Sequence, residues 1–298
     1  MFSSSRPLMS PRKVSADKMY RLSKTPLSRF SRYLTTGANS MASHLEVEHK
    51  FLPTANLKAH LAGNTSNVHH QLSPKFERLP SRMMRDIYYD CEDQLSKAGI
   101  WIRRRETRTA RSCGFPPIFE GSVVTQWEAK LKLAGDYLES QIVEVEGLAN
   151  VQNVLQGQMP GTFLSNLEVL ADLDTLRQSW TIHEAAAICT VLNSSPQDGE
   201  PSICMDLDMI TAPSYDMPGI KPFQHEVGEI ELVGEVVGGD SEVEDEKKRL
   251  EASARMHMRL QEFVSSYPAL FPRTQVQGKL SAFFVWQERT GSRLTGTD

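Results

Sequence analysis

The chain has 298 residues, 40% of them hydrophobic and 23% charged, with 33 Lys or Arg against 37 Asp or Glu. This suits a globular protein with a sizeable core, and with no run near 18 apolar residues it predicts no transmembrane helix and no membrane partner. Residues 1 to 43 hold eight of the bases and one acid, Asp17, leaving 25 bases against 36 acids in an acidic body that does not suit nucleic acid.

Residues 1–43, rich in Ser and Arg, predict either a mitochondrial transit peptide or a disordered basic tail on a cytoplasmic protein, with Met41 a possible second start. His44 to Phe51 then alternates as a strand does, with Glu46, Glu48 and Lys50 on one face and Leu45, Val47 and Phe51 mainly on the other. A short helix from Thr54 to about Leu61, capped by Thr54 or Asn56, leads to a loop over 63–80 and a strand from Met84 to Asp90. Trp101, Arg103 and Arg105 share one face of the next strand, after a turn or short helix from Glu92 to Gly99. An insertion over 107–125 separates it from a strand with Glu128, Lys130 and Lys132 on one face.

Ile142 to Glu146 aligns Glu144 with Glu146, and helical turns follow over Leu148–Gln156 and a short element over Phe163–Leu170. Leu176 to Trp180 is a strand carrying Arg177. Asp206 aligns with Asp208, and Glu229 with Glu231, on two more strands. His183-Glu184 and His225-Glu226 lack the second histidine of a zinc-protease helix and read as surface residues. Residues 242–264 predict an outer helix with Val243, Leu250, Ala254, Met258 and Phe263 on its inner face. Gln277 to Gln287 reads as a last strand bearing Lys279, before a frayed tail from 291 to 298. The cysteines Cys91, Cys113, Cys189 and Cys204 lack metal-ligand spacing and read as free thiols.

Charged rows cannot face a dry core, because burying unpaired ions costs several kcal/mol each. They face solvent or line a wet cavity. Basic rows and acidic rows fall on different strands, and about eight antiparallel strands closed into a barrel enclose room for one small ligand. The predicted fold is therefore a β-rich α+β domain over residues 44–290, an eight-stranded antiparallel β-barrel with helices packed outside. Bases on one wall suit phosphate oxygens, and clustered carboxylates on another suit a hard divalent cation.

Glu46-Val47-Glu48-His49-Lys50 resembles the Glu-x-Glu-x-Lys signature of the CYTH, or triphosphate tunnel metalloenzyme, family. Arg85–Asp90, Trp101–Glu106, Trp127–Lys130, Met205–Asp208, Val227–Glu231 and Gly278–Leu280 follow in that family's order and are similar to its thiamine triphosphatase branch. The resemblance implies Mg²⁺-dependent hydrolysis of thiamine triphosphate to thiamine diphosphate and phosphate by a monomer. It makes Lys50, Arg103, Arg105, Arg177 and Lys279 the phosphate grip, with Trp101 a platform for the thiamine ring. It makes Glu46, Glu48, Glu146, Asp206, Asp208, Glu229 and Glu231 Mg²⁺ ligands, and Lys130 with Tyr88 a pair that activates water. Lys130 among other cations would have a depressed pKa and act as a base, the competing base being a carboxylate or metal-bound hydroxide. The alternatives are an inorganic or nucleoside triphosphatase or adenylate cyclase of the same fold, or a non-catalytic polyphosphate-binding module.

Overall fold

The computed structural model describes residues 43–63, 74–111, 117–136, 138–183, 202–213, 219–235 and 242–291. The expectations for the basic tail before Ser43, for the tail after 291, and for Cys113 and Cys189 lie outside them. The strands are β1 (Ser43–Phe51), β2 (Lys75–Arg78), β3 (Arg82–Asp90), β4 (Ile100–Thr109), β5 (Val124–Gly135), β6 (Glu139–Glu146), β7 (Glu168–His183), β8 (Ile203–Thr211) and β9 (Gln224–Glu235). The helices are α1 (Ala55–Leu61), α2 (Gln94–Lys97), α3 (Leu148–Gln158), α4 (Glu242–Ser266) and α5 (Lys279–Thr290).

Pairing runs β7-β3-β4-β5-β6-β1-β9-β8 and closes through β8 onto β7, every pair antiparallel. Eight strands thus form a closed barrel, as expected, and β2 is added outside the ring on the edge of β7. The sequence reading of 63–80 as all loop missed β2, whose four residues are too few to show alternation.

The two-residue period of each strand sorts side chains inward and outward. Leu45, Val47 and Phe51 leave the barrel to join a core with Met256, Leu260, Phe263 and Val264 of α4. Ala129, Leu131, Val143 and Val145 pack outward against Val151, Val154 and Leu155 of α3. Gly228 leaves room for Phe51, whose ring lies where a β-carbon would be, as close as 2.3 Å. Thr54 caps α1, its hydroxyl accepting from the Leu57 amide at 3.1 Å. No helix among the described residues is long and apolar enough to cross a membrane.

Two helical expectations change. The inner face of α4 carries Ser253, Met256, Leu260, Phe263 and Val264, while Ala254 and Met258 face solvent and Leu250 is 40% exposed. Two stripes of similar spacing compete in this segment, and the one continuing into Tyr267 and Phe271 matches the outer row of β1. The segment expected as a last strand, Gln277–Gln287, is instead helical from Lys279 and makes up most of α5. Phe283 and Phe284 of α5 pack with Val276, Phe223, Val227, Leu173 and Tyr88, and Gly291 ends the helix at φ 67°. The eight-stranded ring closes without this run, whose aromatic side chains pack as one helix face with Phe223 and Val227.

Elsewhere β4 and β5 extend into the predicted insertion, bridged at Ala110 and Phe119. His183 is exposed and meets Glu77 at 3.0 Å, as a surface residue would. His225 differs, being half-buried with its Nε2 2.8 Å from the Gln277 carbonyl. Among the described cysteines, Cys91 and Cys204 are free.

Candidate active site

The inward rows of the barrel line one cavity of about 560 Å³, within the usual range for a small-molecule site. Lys50 comes from β1, Trp101, Arg103 and Arg105 from β4, Lys130 from β5, Arg177 from β7, Glu229 and Glu231 from β9, and Lys279 from the first residue of α5. Lys279 thus reaches the lumen from a helix rather than a strand. Glu46, Glu48, Tyr88 and Glu146 line the same cavity.

Asp206 and Asp208 lie behind Arg177. Its Nε and Nη2 meet the two Asp208 oxygens at 2.7 Å each, its Nη1 contacts Asp206, and its Nη2 is 3.4 Å from Glu229. The Asp208 oxygens, expected on a metal, are therefore taken by Arg177. Across the barrel, Arg103 donates to Glu128 at 2.6 Å, to Glu144 at 3.1 Å and to the Tyr88 hydroxyl at 3.5 Å. Arg105 clamps Asp86 through Nε and Nη2, at 2.7 and 2.9 Å. Lys279 Nζ meets the same carboxylate at 2.7 Å and lies 5.8 Å from the centre of the Tyr88 ring. Lys50 and the Ser140 hydroxyl both donate to Glu48.

The charges are less segregated than expected. Asp86 and Glu128 sit among the bases of β3 to β5, while Lys50 and Arg177 sit among the acids of β1, β8 and β9. Like charges packed in a partly dry lumen would be costly, and interleaving offsets that cost.

Lys130 also departs from expectation. Its Nζ lies 2.8 and 2.9 Å from the two Glu46 oxygens. Burial alone would lower its pKa, but Glu144, Glu46 and Glu48 outweigh that and hold it well above its usual value. The ammonium is thus charged here, not poised as a free base. Tyr88 and Lys130 stand on strands separated by β4, and Tyr88 instead meets Arg103 at its hydroxyl and Lys279 over its ring.

Opposite effects appear on the acids. Burial pushes Glu46 up to about 7 despite Lys130. Burial, Glu46 and Asp206 push Glu231 well above the usual carboxylate range. Glu48 goes the other way, as Lys50 and Lys130 outweigh its burial. Eight bases and eight acids line the cavity, and Asp86, Asp206 and Asp208 behind them tip the balance to acid. Glu231 makes no ion pair within 4.0 Å among the described residues.

These donors fit Mg²⁺ by their chemistry: all are oxygens, and Glu46 and Glu231, whose ionisation burial opposes, are carboxyls that a bound cation would favour in their charged form. No three His, Cys, Asp or Glu side chains among the described residues are gathered to hold an ion.

No protein-family model matches the chain, and no curated protein sequence matches it. Solved structures are similar at low identity and low TM-score. One is a protein from Pyrococcus horikoshii, at 16% identity and TM-score 0.35, covering 73% of this chain and 89% of that one. A second, from Bacillus halodurans and described as a candidate adenylate cyclase, is 18% identical with TM-score 0.40, covering 82% of this chain and 100% of its own. A third, from Hippeastrum, is named a candidate adenylyl cyclase with a dominant triphosphatase activity. It is 11% identical with TM-score 0.40, covering 86% and 98% of the two chains. At this level of likeness no activity passes from those proteins to this one.

Sequence reasoning overlooked Asp86, which is fully buried among three cations, and gave no role to Glu128 or Glu144, which fix Arg103. Glu128 and Glu144 carried a signal, since each falls on a charged row already assigned inward.

Proposed function

We propose that the barrel is a triphosphatase that hydrolyses thiamine triphosphate to thiamine diphosphate and phosphate with Mg²⁺. One observation carries the triphosphate reading. Lys50, Arg103, Arg105, Lys130, Arg177 and Lys279, from five separate elements, converge on a single cavity. Six cations brought together from across the chain have no packing purpose that apolar residues would not serve at lower cost. A chain of phosphates offers oxygens to several cations at once.

In this reading Lys50, Arg103, Arg105 and Lys279 hold the phosphate oxygens, and Arg177 holds the acidic wall in place. Bound Mg²⁺, held by Glu46 and Glu231 with Glu48, Asp206 and Glu229 close by, would neutralise phosphate charge. The Tyr88 hydroxyl accepts from Arg103, which leaves its own proton free to donate to a water or a phosphate oxygen. Lys130, charged and beside Glu46, places a positive charge where negative charge develops.

Trp101 supports the thiamine end. It lies at the cavity wall, half-buried, in register with Lys130 on the next strand. An aromatic face stabilises a thiazolium cation by roughly 0.5–2 kcal/mol. Trp101→Ala is therefore expected to raise KM for thiamine triphosphate about 10-fold and KM for inorganic triphosphate less than about 2-fold. Equal changes in both would remove the platform.

The function is tested by phosphate release from thiamine triphosphate, inorganic triphosphate and ATP, with Mg²⁺ and with chelator. Expected is Mg²⁺-dependent orthophosphate release, fastest from thiamine triphosphate. Pyrophosphate release from ATP would mark a cyclase instead. Tight binding without turnover would mark a binding module.

A further inference from the structure

We infer that Asp86 is a positioning residue, a buried anion that holds Arg105 and Lys279 in the geometry needed to grip the phosphates; this rests on the triphosphatase reading. Asp86 has no exposed surface, and both its oxygens are engaged. The bidentate clamp fixes the plane of the Arg105 guanidinium as well as its distance. The bond to Lys279 ties the first residue of α5 to β3, so one carboxylate joins barrel and helix. Arg103 Nη1 stands 3.9 Å away. Three cations from β4 and α5 thus share a neighbourhood in which they would otherwise repel.

Asp86 is the only acid within 4.0 Å of Lys279 among the described residues. Arg103 and Arg105 have Glu128 as a second partner. Loss of Asp86 would therefore set Lys279 loose while leaving the arginines partly held. The freed positive charge would still attract phosphate, but no longer in the aligned arrangement that turnover requires. A purely structural carboxylate, by contrast, would change stability and leave the balance of binding and turnover alone.

The full-length chain is tested as Asp86→Asn and Asp86→Glu, with inorganic triphosphate and Mg²⁺. Expected for Asp86→Asn is a kcat lowered about 100-fold with KM unchanged or lowered. Unchanged kcat, or a loss confined to KM, overturns the inference. Should Asp86→Asn not fold, Asp86→Glu carries the same test, since it keeps the charge and shifts the clamp by one methylene; an expected loss of about 10-fold in kcat at constant KM is read against no loss. On the same proteins, acylation of Lys279 is followed by mass spectrometry without substrate. Several-fold faster labelling in the folded variant than in wild type is expected, and equal rates overturn the tether. Absence of wild-type turnover would refute the triphosphatase reading, while the labelling still judges the tether by itself.

Discussion

Arg177→Ala is expected to destabilise the protein by about 3–5 kcal/mol, the usual cost of removing one partner from a buried ion pair. Arg177 is 9% exposed and contacts Asp206, Asp208 and Glu229 at once. These acids hold its guanidinium charged well above the ordinary value, outweighing the effect of burial. Alanine would leave Asp208 with no other cation in contact among the described residues, and Asp206 with only Arg82 at 3.8 Å. Urea unfolding should show a lower midpoint at unchanged slope. Adding Asp208→Asn should recover part of the loss, because one stranded charge is removed. A loss below about 1 kcal/mol would place the cluster with solvent-screened surface pairs and undo the description of the acidic wall.

Lys130→Ala is expected to lower kcat by about 10²–10⁴-fold while triphosphate still binds, the range for removing a group that assists charge or proton movement at the reacting centre. Binding survives because Lys50, Arg103, Arg105 and Lys279 come from other elements and keep their own partners. The measurement is steady-state phosphate release beside calorimetric binding of inorganic triphosphate. Unchanged kcat would remove Lys130 from the chemistry. Loss of binding with kcat retained at saturation would make it one more phosphate contact. The Glu46 contact also bears on its role: a lysine paired so closely is an acid or a fixed charge, and it serves as a base only once Glu46 is engaged elsewhere.

The strand rows were legible because a two-residue period leaves only one way to bury Leu45, Val47 and Phe51, and that choice puts Glu46, Glu48 and Lys50 together on the opposite face, which the closed barrel turns inward. The same logic placed Trp101, Arg103 and Arg105 together, and Lys130 with Lys132. Helices were legible at α1, where Thr54 supplies a cap, and at α4, where charged pairs recur at helical spacing, but α4 offered two apolar stripes. Only the presence of β1 beneath it selected Met256 and Leu260 over Leu250 and Met258.

Periodicity by itself determined that this chain sets rows of charge opposite rows of apolar residues, and that those rows must meet either solvent or a wet lumen. Which charge meets which was decided by closure of the ring. Arg105 and Lys279 reach Asp86 from 19 and 193 residues away along the chain, and no local pattern encodes a contact across that distance. Folding turned an apparent last strand into α5, since the ring closes without it and its aromatic residues find their packing partners as a helix. It also made Lys130 a held ammonium rather than a free base, since a lysine's neighbours in space, not its neighbours in sequence, set its charge.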